Sequence, residues 1–74
     1  MATASSIECT EEIGKTAGEI WKLLSENGPM SLAKLVKTIA EPRDLVMQGI
    51  GWLAREDKLI FEDEGRSRII SLRM

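Results

Sequence analysis

The sequence predicts a mainly α chain closed by a small antiparallel β-hairpin, an α+β fold of three helices and two strands. Three observations carry this expectation. Apolar residues recur every three or four positions over three successive stretches, the period of a helix with one buried stripe. Asn27-Gly28-Pro29 and Ala40-Glu41-Pro42 interrupt that period between the stretches. Beyond Asp57 the period falls to two, with Leu59 and Phe61, then Ile70 and Leu72, on either side of Gly65.

Each element has its own justification. Residues 1–8 begin small and polar and are expected to form a disordered tail; residues 9–74 are expected to form a single domain. Thr10 suits a helix cap, with Glu11 and Glu12 in the first turn, where carboxylates favour the positive end of the dipole. Ile13, Ala17, Ile20, Trp21 and Leu24 form the stripe that this helix is expected to bury. Asn27-Gly28 tolerates a left-handed turn and Pro29 cannot continue the helix. Met30 suits a very short strand, and Ser31 caps a second helix that buries Leu32, Leu35, Val36 and Ile39 and turns Lys34, Lys37 and Thr38 outward. Pro42 suits the first position of a third helix, from about Pro42 to about Asp57. Its buried stripe is Leu45, Val46, Ile50, Leu53 and Ala54. Asp44, Gln48, Gly51 and Arg55 oppose it, with Met47 and Trp52 on the borders. Two glycines inside this helix, Gly49 and Gly51, each cost about 1 kcal/mol relative to alanine. Close approach of a neighbour, or compensation by packing, would account for keeping them. Lys58–Glu62 and Arg68–Leu72 alternate as strands, and Asp63–Ser67 reads as the turn between them.

That order, with a hairpin following the third helix, is the layout of a winged helix-turn-helix. The string Gly51-Trp52-Leu53-Ala54-Arg55-Glu56, followed by Lys58-Leu59, resembles a hallmark of a small bacterial and archaeal winged helix-turn-helix family, formerly a domain of unknown function. Glu12-Ile13-Gly14, Ala17-Gly18, Ile20-Trp21 and the Asn27-Gly28 break are also similar to that family. The resemblance covers roughly residues 10–72. It implies a winged-helix fold, a homodimer and a DNA-binding or regulatory role, and it supplies no known ligand or reaction.

Composition narrows the functions. Seventy-four residues hold one domain, and a chain of this size buries only about 60% of its unfolded surface. The net charge is −2 and the pI about 5.1, whereas a protein dedicated to coating DNA is usually basic. The charge is unevenly spread. Residues 1–27 carry two lysines against five glutamates, while residues 28–74 carry eight basic groups against seven acidic ones. Cys9 is the only cysteine and there is no histidine, so no internal disulfide or soft metal site is expected, and no cofactor. No membrane-spanning run or signal-peptide pattern is seen, and a cytoplasmic location is expected. No paired-acid cleft or activated nucleophile is evident, so an enzyme and a small-molecule substrate are not expected. Cys9 is read as an incidental thiol. Gly49-Ile50-Gly51 lies inside a helix, whereas a phosphate loop precedes one.

Two functional surfaces fit the sequence. As a DNA-binding, transcription-associated module, the chain would insert its third helix into the major groove of double-stranded DNA. Arg43, Gln48 and Arg55 would read bases or nearby phosphates, while Lys34, Lys37, Arg66 and Arg68 would hold the backbone. The bland alternative is that these are solvated charges. As a protein-interaction or homodimerisation module without DNA affinity, it would use Met47, Trp52 and the first helix. The bland alternative there is that Trp52 closes the core. Glu62-Asp63-Glu64 stands where a DNA-binding wing prefers positive charge, though charge on a hairpin edge also guards against aggregation.

Overall fold

A computed structural model describes residues 6–73. Three helices and a three-stranded antiparallel sheet follow one another as α1 (Ser6–Asn27), β1 (Met30–Ser31), α2 (Leu32–Thr38), α3 (Arg43–Arg55), β2 (Leu59–Glu64) and β3 (Ser67–Leu72). The first five residues of the expected tail lie outside the described residues. Its last three open α1, so Thr10 lies within that helix and does not cap it. Gly28 closes α1, adopting φ 78° and donating its N–H to the Leu24 carbonyl at 2.8 Å.

The start of α2 follows the sequence reading: the Ser31 Oγ accepts the Lys34 N–H at 3.1 Å. α3 begins one residue later than expected. Pro42 is its N-cap, with its carbonyl accepting from Leu45 and Val46. The helix also ends two residues earlier, at Arg55. There Asp57 takes φ 60°, its N–H bonds the Ala54 carbonyl, and the Lys58 N–H reaches back to Leu53. That pair of bonds is the Schellman closure usually built on glycine.

In the sheet, β3 is central, in the order β1-β3-β2. Met30 pairs with Ile70, and β2 runs against β3 from Leu59↔Leu72 to Glu64↔Ser67. The turn is therefore only Gly65-Arg66, shorter than expected, and Asp63 and Glu64 belong to the strand. Gly65 at φ 59° occupies the first central position, where a two-residue hairpin of the II′ type needs glycine.

One core joins the elements: Ala17, Ile20 and Leu24 of α1, Leu35 and Ile39 around α2, Val46, Ile50 and Leu53 of α3, and Met30, Leu59 and Ile70 of the sheet. Two expectations are corrected. Trp21, one step off the buried row of Ala17, Ile20 and Leu24, is 47% exposed. Ala54 is exposed, and the fourth core position of α3 is Gly49. Gly49 is where α1 and α3 come closest: an added Cβ would sit 2.9 Å from Ile20 Cδ1 and 3.2 Å from the Ala17 backbone nitrogen. Of the two reasons for keeping the internal glycines, close approach holds at Gly49. Gly51 faces open space.

Candidate nucleic-acid interface

The β2–β3 hairpin forms a wing whose two faces follow from its register. Directly opposed residues share a face, and successive residues alternate. Leu59, Phe61 and Asp63, opposite Leu72, Ile70 and Arg68, lie on the face that carries the core. Ile60, Glu62 and Glu64, opposite Ser71, Ile69 and Ser67, lie on the other. The acidic triplet is thereby divided: Glu62 and Glu64 turn away from the helices, and Asp63 alone turns with the helix-covered face.

Asp63 meets a partner there. Its Oδ1 accepts from Arg68 Nε at 2.9 Å, both side chains being exposed. That hydrogen bond, and then the charge of Asp63, raise the Arg68 guanidinium above its ordinary pKa. Arg68 stays charged at any pH of interest, and the pair is locally neutral.

A groove of about 410 Å³ opens between this end of the wing and the helices. Ser31, Leu32 and Ala33 at the start of α2 line one wall. Arg43, the first residue of α3, lines another, and Asp63 with Gly65 to Arg68 supplies the wing side. Arg43, Arg66 and Arg68 are thus gathered around one opening, although Arg43 and Arg66 are far apart in sequence. Against them stands only Asp63. Among the described residues, neither Arg43 nor Arg66 makes an ion pair. A groove with three guanidiniums and one carboxylate favours an anion, and the planar fork of arginine matches phosphate oxygens.

The other candidate residues divide by location. Gln48 and Arg55, two helical turns apart, share the exposed outer face of α3 with Asp44 and Gly51. The Asp44 Oδ1 accepts the Leu45 N–H at 3.1 Å. Lys34 does not join the arginines. It lines a neighbouring cleft with Leu23, Asn27, Pro29 and Thr38, which shares Ser31 with the arginine groove. Lys37 is exposed in the last turn of α2, where a cation suits the negative end of the dipole. Met47 is 39% exposed. Trp52 is half-buried, packed on the core with its ring 3.8 Å from the position of a Cβ on Gly14. The exposed tryptophan is Trp21. The wall formed by Ser31, Leu32 and Ala33 and the pairing of Asp63 with Arg68 were not read from the sequence. Counting outward from a two-residue Gly65-Arg66 turn would have found the pair. No helix among the described residues is long and apolar enough to cross a membrane.

Comparison with known proteins agrees with this architecture. An uncharacterised protein of Methanocaldococcus jannaschii, MJ1608, is 38% identical over 65 residues, covering 84% of this chain and 91% of that protein. The solution NMR structure of BT2368 from Bacteroides thetaiotaomicron superposes with a TM-score of 0.75 at 27% identity, over 84% of this chain and 76% of that one. A crystal structure of an ArsR family transcriptional regulator shares the fold at a TM-score of 0.61 and 20% identity, over 96% of this chain and 77% of that one. Residues 8–72 match the family described as "Winged helix-turn-helix domain (DUF2582)", and with its three helices, central β3 and two-stranded wing the chain belongs to that family.

Proposed function

We propose that the chain is a DNA-binding, transcription-associated module that works as a pair of copies. One observation carries the reading: Arg43 at the start of α3 and Arg66 and Arg68 on the wing line a single groove. In this reading the DNA backbone crosses that groove, and Arg43 and Arg66 take its phosphates. Gln48 and Arg55 on the outer face of α3 meet base edges in the major groove. Lys37 adds a distant phosphate contact, and Lys34 takes little part. The acidic wing is a weaker obstacle than its sequence suggests, because Glu62 and Glu64 lie on the opposite face and Asp63 is paired with Arg68. The ArsR family regulator of the same fold lends support by analogy only. Pairing of two copies supplies contacts that one small module lacks.

The test is fluorescence anisotropy with a random-sequence duplex across a salt series. Affinity should fall steeply as salt rises. Absence of any binding at low salt would end the reading.

The structure of the groove yields a sharper expectation. Asp63→Asn removes the one carboxylate facing the arginines and releases Arg68 for a phosphate. Duplex binding should tighten several-fold, with a salt slope steeper by about 0.9. Glu62→Gln with Glu64→Gln removes two charges on the other face and should tighten binding less. The reverse order would mean that the DNA crosses the opposite face of the wing.

A second reading is favoured by the exposed Trp21 and the pI of about 5.1: a protein-interaction module that keeps the fold without DNA affinity. Its surface centres on Trp21, with Trp52 lining the adjoining groove and Met47 lying apart. Retained self-association together with no duplex binding at low salt would select it.

A further inference from the structure

Two tryptophans far apart in sequence line one cleft near the base of the hairpin. Trp21 of α1 and Trp52 of α3 border it, with Gly14 and Gly18 on the α1 side and Glu56 and Lys58 just past the end of α3. Its volume is about 240 Å³. The glycines place no side chain over it. A Cβ on Gly18 would meet nothing within 4 Å, and one on Gly14 would stand 3.8 Å from the Trp52 ring. Across Trp21 lies a second cleft of about 430 Å³, which includes Leu24, Pro29 and Leu72 and no charged residue. Trp21 is 47% exposed between the two. Tryptophan and arginine are among the residues that most often carry the energy of a protein interface.

We infer that the two clefts bind a short extended segment of a different protein, with an arginine entering between Trp21 and Trp52 and an apolar side chain entering beside Leu24 and Leu72. Charge and ring chemistry select the cation. The face of an aromatic ring is negative, and tryptophan attracts a cation more strongly than phenylalanine or tyrosine does. Glu56 adds a carboxylate at the same cleft. Lys58 opposes, and its Nζ already holds Glu56 Oε1 at 3.4 Å. Both side chains of that pair are about half exposed, and an exposed pair of this kind is weak. A guanidinium is less hydrated than an ammonium, stacks on rings and takes a carboxylate with two hydrogen bonds, so an arginine displaces Lys58 from Glu56. The charges along the outer side of α1 do not reverse the choice: Glu11, Glu19 and Glu26 stand against Lys15 and Lys22. Asp57, next to Glu56, is paired with Arg73 at 3.2 Å. An anion would meet Glu56, the aromatic rings and this acidic excess, with Lys58 in its favour.

Size selects a side chain over a free ligand. Sites for whole small molecules span about 300–1,000 Å³, and the cleft between the tryptophans is smaller. In an extended segment, alternate residues share a face roughly 7 Å apart. An arginine and an apolar residue two positions on therefore straddle the indole of Trp21. The site is separate from the arginine groove, since Lys58 lies roughly 20 Å along the strand from Glu64 near the wing tip. Occupancy of one leaves the other open. This docking surface goes beyond the DNA reading and does not rest on it.

The test is an NMR titration of the full chain that follows the indole N–H signals of Trp21 and Trp52. The probe is a blocked arginine-alanine-leucine tripeptide, taken to about 10 mM because so short a segment makes few contacts. Both signals should move and saturate. The citrulline counterpart keeps the shape of arginine without its charge and should bind several-fold more weakly. So should N-acetyl-arginine amide, which lacks the apolar side chain. Trp21→Ala and Glu56→Gln should each weaken the tripeptide by roughly two- to fivefold. Lys58→Ala should tighten it, because the competing cation is gone. Glu56 and Lys58 are exposed, so those two variants keep the fold whatever becomes of Trp21→Ala. Absence of any shift, equal binding of the citrulline peptide, or weakening by Lys58→Ala would each overturn the inference. Equal affinity for N-acetyl-arginine amide would make the site one for a free cation and remove the partner segment. Indole shifts that follow protein concentration without peptide would give the cleft to a second copy of the chain, with the same consequence. Duplex binding is read separately by anisotropy, so the two readings fail apart.

Discussion

Gly49→Val is expected to lower the melting temperature by roughly 15 °C, on a scale of about 4–8 °C per kcal/mol for a domain of this size. Gly49 faces α1 at the point where the two helices cross. A Cβ there would stand 2.9 Å from Ile20 Cδ1, 3.2 Å from the Ala17 backbone nitrogen and 3.3 Å from Thr16 Cγ2. The terminal methyl of Ile20 has little room to yield, since Ile20 is fully buried. The Ala17 nitrogen cannot yield without moving α1 itself. Valine adds two further methyls to this contact. Overpacking of a close-packed core costs about 1–3 kcal/mol and sometimes more, and a helix–helix crossing stands at the upper end. The helix-propensity gain on leaving glycine is at most several tenths of a kcal/mol for a β-branched residue, so packing wins. Gly51→Ala is the matched control. Nothing lies within 4 Å of its Cβ, so only the propensity term of about 1 kcal/mol remains, and stability should rise. Thermal unfolding of both variants decides the matter. If Gly49→Val melts with the wild type, α1 and α3 do not cross at Gly49.

The same pair of glycines shows what the sequence makes legible. Propensity alone marks Gly49 and Gly51 as equally costly and cannot say which is required. The answer lies in the neighbouring helix: α1 offers Thr16, Ala17 and Ile20 at the level of Gly49. Local signals located the elements well, because caps and breaks act over a few residues. Ser31 caps α2, Gly28 ends α1, and Gly65 turns the hairpin, each by chemistry visible in the chain. The spacing of Trp21 from Ala17 and Leu24 fits the buried row, yet Trp21 sits at the edge of that row and lines an open groove with Trp52 and Leu53 of α3. Phe61 stays 41% exposed for a related reason: it shares a face with Leu59, but lies further toward the wing tip. Helical and strand periods give the direction of a side chain and not the extent of the cover above it. The division of Glu62-Asp63-Glu64 between two faces was legible in principle, since alternation alone separates the middle acid from its neighbours. Which face turns toward the arginines was not, because that depends on packing of the wing against the helices. The arginine groove itself joins the start of α3 to the hairpin tip, and no local pattern links Arg43 to Arg66.

Replacing Arg43 and Arg66 together by alanine is expected to weaken duplex binding by about 10- to 100-fold at low salt, from the roughly 1.5–3 kcal/mol of a charge-assisted hydrogen bond discounted for exposure. The salt series carries the more specific signature. Each phosphate neutralised contributes about 0.9 to the slope of log affinity against log salt, so losing two contacts should flatten it by about 1.8. Between 50 and 200 mM salt that amounts to roughly a tenfold smaller fall in affinity than in the wild type. Both side chains are exposed and make no ion pair among the described residues, so the melting temperature should barely move. Lys34→Ala removes the same charge from the neighbouring cleft, outside the lining of the arginine groove, and should cost clearly less in both affinity and slope. This contrast separates a phosphate clamp from general electrostatic attraction, in which any lysine or arginine lost would cost about the same. Equal losses for Lys34→Ala and for Arg43→Ala would move the DNA path away from the wing groove. A full loss of affinity with an unchanged slope would make the two arginines base readers and not phosphate contacts, because base contacts release no condensed counterions.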